Sequence, residues 1–542
     1  YDTLLADATS ADDGALLLDV VRRWDALRSE LRTFRALTNL KYSQDTSDAE
    51  ARARREWADG VGPRFVELDT AIKRVLLESP HGAALKEALG EHLFDLWDAD
   101  VTSFLPELKE DMVAISATSA SYTELLASAE IEFHGEVLNI SELRALQDDG
   151  SRDVRRSSFE ALSAWVMGRT DQFDGIFDEL VRRRHAMATK LGMRSFTELG
   201  YKKMHRIDYD RADVEVWRRE VRDVLVPLGE ELVALQQEAL RLDELKAWDE
   251  GVFSLRGNPK PAGDHDWMVD RAVEMFDDLG YGMDTFFRSM VEQGYMDLKA
   301  RKAKAPGGFC TSFPTIGMPF VYANFNGSKK DVEVFTHEMG HAFQNYSSQD
   351  TATIDYQWPT YESAEIHSMS LEFLTWPQMD RFFGAEEAAR FRRIHLIEGL
   401  LFVPYGVAVD HFQHEIYKHP HATPEERCEI WRQMEAVYLP WRDWGHIEYG
   451  AAGRRWQLQA HIYQSPFYYI DYTLAQAVAL QFWLESERDP EGAMRAYVAL
   501  CKRGGSAPFR ELVASAGLKT PFEPGCLKEV VRRSREFLKL NA

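Results

Sequence analysis

Cysteine is scarce and scattered. The chain has four, Cys310, Cys428, Cys501 and Cys526, and no C-x-x-C pair. That argues against a disulfide framework and fits a reducing compartment. No run approaches 18 consecutive apolar residues, so no transmembrane helix is expected. Positive charge is in deficit: 64 Lys and Arg stand against 88 Asp and Glu, a net charge of −24. A sequence-independent nucleic-acid binder needs cations to displace phosphate counterions. An electrostatic grip on an anionic membrane needs them too, so neither is an expected partner. Repeats, low-complexity segments and heptads are also absent. The chain begins on Tyr1 rather than Met, which leaves room for upstream residues, a removed signal peptide included.

What is present is a large globular chain. Its 542 residues are 45% hydrophobic and 28% charged, which rules out wholesale disorder. At about 150 residues per domain the length corresponds to roughly three to four domain-sized units. The acidic surplus reads first as solubility, and second as a cleft that attracts cationic peptides or metal ions.

Helical periodicity dominates. Leu16, Leu17, Val20, Val21, Trp24 and Leu27 recur at three- and four-residue spacing, and the pattern runs from Ala11 to about Glu130. Ile131 to Ile140 has short alternating runs around a central Gly and reads as a hairpin. Arg182 to Arg184 read as a solvated helix face. Residues 306–328 alternate Gly, Pro and β-formers with no 3.6 period. They read as a small antiparallel sheet leading straight into a helix. Helix then prevails to the end, broken at Lys418–Pro424 and Gly504–Pro508. The division expected is an N-terminal helical region, 1–180, followed by a catalytic region, 181–542, with the lobes interlocked.

His337-Glu338-Met339-Gly340-His341 is an H-E-x-x-H pattern. Residues four apart share a helix face, so both imidazoles reach one ion. Zn²⁺ accepts imidazole nitrogen, and Glu338 between the ligands is placed to take the proton of a water. Asp331 reads as the cap of that helix, after Gly327-Ser328, with Glu333 in its first turn. A third ligand is required. Glu362, Glu365 and Glu372 are offset by three and seven on a downstream helix that also carries Met369, Leu371, Phe373 and Trp376. A buried carboxylate needs a partner, and a metal is a good one. Spacing alone does not choose between Glu362 and Glu365. His411-Phe-Gln-His414-Glu415 imitates a metal motif, but its acid does not lie between its histidines; it reads as a polar helix face.

With these residues in place, the chain resembles the zinc oligopeptidases of the thimet oligopeptidase and oligoendopeptidase F kind, and most closely the oligoendopeptidase F/Pz-peptidase branch. The resemblance is carried by GGFCTSFP (307–314), FVYANFNGS..DVEVFTHEMGHAFQ (320–344), ESAEIHSMSLEF (362–373) and HIYQSPFYYIDYTLAQ (461–476), and extends weakly over 130–542. It implies a mainly α fold: two helical lobes, a deep central channel and a small antiparallel sheet beside the metal helix. It implies one Zn²⁺ per chain on His337, His341 and Glu365, since an E-x-x-S-x-x-L-E pattern begins at Glu365. Glu372 then orients a ligand histidine. It further implies internal cleavage of short unfolded oligopeptides, with Glu338 as general base, in the cytoplasm.

His461 to Gln476 is dense in tyrosine. Peptide hydrolysis makes a tetrahedral oxyanion, and phenol or imidazole donors can meet it. The resemblance points to His461 and Tyr472, with Tyr469 beside them and Tyr468 toward substrate; the choice among the three tyrosines stays open. Val321 to Phe325 reads as an edge strand that could bind an extended peptide through Ala323 and Asn324. Gly308, next to Gly307, would allow close approach of substrate. Two rivals stand beside the endopeptidase reading. A peptidyl-dipeptidase would need a cation for the substrate's terminal carboxylate, and sequence does not identify one. A catalytically silent peptide binder would have no need of Glu338. Oligomeric state is not legible.

Overall fold

The computed structural model describes residues 1–540. Helices account for most of it, as the apolar spacing predicts. Near the N-terminus run two long helices, α1 (Gly14–Gln44) and α2 (Ala49–Glu78). Each starts on an aspartate whose carboxylate accepts from free N–H groups of the first turn: Asp13 from Leu16 at 2.8 Å, Asp48 from Glu50 at 2.8 Å. Their buried faces, Leu17, Val20, Val21, Trp24, Ile72 and Leu76, join Leu85, Leu93 and Trp97 in one apolar core. A second, larger core begins at Leu108 and runs to Leu538.

The two cores are tied by a buried ion pair. Arg28 of α1 donates to both oxygens of Asp355 at 2.8 and 2.9 Å, and Trp97 Nε1 donates to Asp355 at 3.1 Å. Burial works against the Asp355 charge, but the Arg28 and Arg32 guanidinium groups outweigh it and hold this carboxyl far below the usual range. Tyr356 joins the N-terminal core, and its hydroxyl donates to Leu89 O at 2.9 Å.

Strands β1 (Ile131–Phe133) and β2 (Glu136–Leu138) form the hairpin, with Ile131 opposite Leu138. Its turn residues His134 and Gly135 both have positive φ, 51° and 88°. That left-handed pair matches the strand twist of a two-residue hairpin, and Gly135 takes it without strain.

The second sheet has three strands, β3 (Met296–Lys299), β4 (Phe309–Phe313) and β5 (Met318–Phe325), in the order β3-β5-β4. The β4–β5 pair is antiparallel, and β3 adds to β5 in parallel. This order corrects one expectation. Strand β5, which carries Ala323 and Asn324, is central rather than at the edge. Ala323 is fully buried, and Asn324 Nδ2 donates to the carbonyls of Ala305 and Gly307 at 2.8 Å each, pinning the loop before β4. The edge strands are β3 and β4.

The chain turns from β5 into α3 (Lys329–Ser347). The Asp331 carboxylate accepts from the backbone of Asn326 at 2.9 Å, Gly327 at 2.6 Å and Ser328 at 3.2 Å, which ends the strand and starts the helix. Three further helices complete the surroundings: α4 (Tyr361–Leu374), α5 (Ala385–Lys418) and α6 (Tyr469–Arg488). Among the described residues no helix is long and apolar enough to cross a membrane.

Candidate metal centre and active-site cavity

The H-E-x-x-H segment lies on α3, and α4 crosses it very closely. A Cβ on Gly340 would sit 2.5 Å from His367 O and 2.6 Å from Ser368 Cα, both backbone atoms. Only glycine permits this crossing, and the crossing delivers Glu365 to the two histidines. Nε2 of His337 lies 3.2 Å, and Nε2 of His341 3.4 Å, from the same Glu365 oxygen. Among the described residues these three form the one group whose ligand atoms lie within 4.8 Å of one another. Replacing Gly340 by Ala is expected to force the helices apart. Thermal unfolding should show about 1–3 kcal/mol lost, with weaker zinc retention on dialysis.

The donor set fits a cation. His337 Nδ1 lies 2.8 Å from Glu372 Oε1, and that carboxylate's other oxygen lies 2.7 Å from His395 Nε2. Burial opposes the Glu372 charge, but the hydrogen bonds from His337 and His395 bring its carboxyl down to about 2. As an anion it accepts the Nδ1 proton of His337. The Nε2 lone pair of a neutral His337 then faces a Glu365 oxygen. Two lone pairs aimed at each other repel unless a cation or a proton lies between them, and two imidazoles with a carboxylate are ligands zinc accepts.

Glu362, the other acid that spacing allowed, does not reach this point. It accepts from Thr360 Oγ1 at 3.0 Å on a different part of α4. Burial first, then the Asp471 charge, push its carboxyl up to about 8. His367 also turns away, its Nδ1 bonded to Ser363 O at 2.7 Å.

A cavity of about 890 Å³ opens on the triad and is walled by His337, Glu338, His341, Glu365, Tyr468 and Tyr472. Gly308 to Ser312, the run around edge strand β4, line it as well. At Gly308 a Cβ would lie 3.0 Å from Val334 Cγ1 and 3.5 Å from Glu338 Oε1. Glu338 is buried, and its Oε2 has no hydrogen-bond partner. Burial raises its carboxyl, against the pull of His337 and His341.

The tyrosine segment sits over the triad. Tyr468 donates to Glu365 Oε1 at 2.6 Å, and its ring centroid is 4.9 Å from that of Tyr472. Tyr469 lies beside His461 and Tyr472, with ring centroids 4.9 and 5.6 Å apart. It packs edge-on against Tyr405 and Phe402, behind His461, and does not line the cavity. His461, like Tyr469, stands behind the cavity wall rather than on it, and its tautomer is set by two residues that sequence alone did not flag. Tyr405 donates to Gln459 Oε1 at 2.7 Å, so the Gln459 amide nitrogen donates to His461 Nδ1 at 2.9 Å. Burial pushes the imidazole down to about 4, so it is neutral with its proton on Nε2, a donor.

A clamp aims this segment. Phe467 precedes Tyr468 in a left-handed conformation, φ 69°, that costs a bulky residue energy. Arg206 Nη2 donates to Phe467 O at 2.6 Å and to Asp471 at 2.8 Å, while Phe467 N donates to Gln413 Oε1 at 2.9 Å. Arg184 holds the preceding turn through Tyr417 Oη at 2.9 Å and the carbonyls of Ile462 and Tyr463. Arg184 is therefore buried at 2% exposure, not on a solvated face as the basic run suggested. His414, of the imitation motif, is buried too and meets Tyr201 Oη at 3.0 Å.

Converging imidazoles, a carboxylate beside them without a partner and a cavity with an open strand edge define a metallopeptidase. The sequence profile of Peptidase family M3 matches residues 145–532, and that of the Peptidase M3 N-terminal domain matches residues 1–104. The chain belongs to peptidase family M3 and is a metallo-oligopeptidase. A solved structure of Pz peptidase A with an inhibitor is 39% identical, with a TM-score of 0.96 over 99% of this chain and 96% of that one. A Bacillus anthracis structure described as an oligoendopeptidase F is 38% identical, with a TM-score of 0.91 over 100% and 95%. The oligoendopeptidase-F of Enterococcus faecium, at 15% identity and a TM-score of 0.64, shares the fold over 99% and 96%. No curated protein matches the chain.

Proposed function

We propose that this metallopeptidase is a zinc endopeptidase acting on short, unfolded oligopeptides in the cytoplasm. The observation that supports it best is the meeting of His337, His341 and Glu365 at one point, with the unpartnered Glu338 oxygen beside them on the cavity wall. These three residues would hold one zinc ion per chain. When bound, zinc lowers the pKa of water toward about 7 and polarises a carbonyl.

The rest is the work of the chain's own groups. Glu338 accepts the proton of the attacking water and passes it to the leaving amine nitrogen. The hydroxyls of Tyr472 and Tyr468 and the Nε2 proton of His461 donate toward the developing oxyanion. For Tyr468 this requires giving up its bond to Glu365. Strand β4 grips an extended peptide by backbone pairing, which favours unfolded substrates and is indifferent to most side chains. Glu372 keeps His337 in its ligating tautomer.

The test is cleavage of a quenched oligopeptide with and without chelator, followed by product masses. Internal cleavage that stops with chelator and returns with zinc is expected. Release of C-terminal dipeptides alone, with amidated peptides untouched, would replace this reading by the peptidyl-dipeptidase one.

A further inference from the structure

One face of α1 forms part of the same cavity wall. Arg32, Arg35, Ala36 and Asn39 line it, offset by three, four and seven residues. Arg32 is engaged, with Asp355 at 3.0 Å and Ile354 O at 3.1 Å. Arg55, also in the wall, lies 3.7 Å from Asp59 and over the Tyr42 ring. Asp100, an acid at this end of the cavity, meets Lys73 at 2.6 Å and His205 at 2.7 Å. Arg35 has no carboxylate and no hydrogen-bond acceptor among the described residues, and the Asn39 amide one turn on has no partner either. Both side chains are exposed toward this space.

We propose that Arg35 and Asn39 form a carboxylate-binding subsite for the peptide substrate. A guanidinium fork engages a carboxylate through two parallel bonds, and an amide four residues away on the same face supplies a further donor. The location suits a bound peptide. Ala36 and Leu40 of α1 share an apolar cluster with Phe309 and Phe313 of β4, so this helix face runs beside the edge strand. At this one point the subsite favours negative charge, whereas the acidic surplus of the whole chain suggested a cleft for cationic peptides. The ligand chemistry is a carboxylate, from the peptide's free C-terminus or from an Asp or Glu side chain.

The inference rests on the peptidase reading of the cavity. The experiment compares kcat/KM for a neutral peptide with a free C-terminus, the same peptide amidated, and amidated peptides with one Asp moved along the sequence. The full chain is expected to favour the free acid over its amide, or one Asp position over its neutral parent, by roughly tenfold. The first result identifies the terminal carboxylate, the second a side chain. Arg35→Gln should bring that ratio close to one, mainly through KM, and Arg35→Lys should keep part of it. Arg22→Gln, on α1 but outside the cavity wall, should leave it unchanged. Raised salt should shrink the ratio, since the site is exposed. No carboxylate preference in the full chain, or one that survives Arg35→Gln, overturns the proposal. Neither result touches the peptidase reading, which fails only if no peptide is cleaved.

Discussion

Glu338→Gln is expected to lower kcat by roughly three to four orders of magnitude while zinc content and unfolding temperature stay close to those of the parent chain. The size follows from what is removed. General acid–base catalysis contributes about 10²–10⁴-fold, and one carboxylate serves both proton transfers of the proposed reaction. Glutamine has the same shape and fills the same buried space, so its fit beside Gly308 is kept. It cannot accept a proton. The Glu338 oxygen lacks a hydrogen-bond partner in the structure, so no internal network is broken by the change. Single-turnover kinetics on a quenched peptide, with zinc measured by mass spectrometry on the same samples, checks this. Turnover within tenfold of the parent would remove Glu338 from the role of base.

The second large effect separates two glutamates on one helix. Glu365→Ala is expected to weaken zinc binding by more than about 100-fold, beyond the 10–100-fold typical of losing an outer partner. Activity should fall with it. Glu362→Ala is expected to keep zinc. Its carboxyl is pushed up by burial and by Asp471, and it lies outside the group formed by His337, His341 and Glu365. The two acids are three residues apart, and α4 sends them to different neighbours: Glu365 to His337 and His341, Glu362 to Thr360. Competition with a zinc-sensitive dye measures both affinities. If Glu362→Ala loses zinc and Glu365→Ala retains it, the ligand assignment is wrong.

Much of the fold was readable in one dimension. The helices follow from apolar spacing, and the breaks at Lys418–Pro424 and Gly504–Pro508 fall where α5 ends at Lys418 and where the helix Pro490–Arg503 stops. The hairpin follows from its central glycine, and the strand-to-helix junction before His337 from its loss of period. These are local signals, written in residues that lie within a turn or two of each other. The H-E-x-x-H helix is of the same kind, because both imidazoles belong to one element.

Other assignments needed distant segments to meet. Gly340 carries no mark of its own in the sequence between Glu338 and His341, and its role is visible only against the α4 backbone. Arg184 looked like part of a solvated basic face, yet it is buried against carbonyls 278 and 279 residues away. Phe467 carries no sequence mark of its left-handed backbone, which is sustained by Arg206 and Gln413. The edge of the sheet was assigned to the wrong strand because strand order is not a property of any single strand.

By itself, the sequence determined the helical class, the position of the small sheet and the metal helix with its two imidazoles and central acid, because each depends on periodicity or on spacing within one element. The family resemblance pointed to Glu365, but its meeting with the two histidines, the tyrosines that line the cavity, the order of the strands and the place of Arg35 on the cavity wall were visible only in tertiary structure. Each of these depends on which faces of remote elements are pressed together. That is a matter of packing and of where buried polar groups find partners, and no local pattern records it.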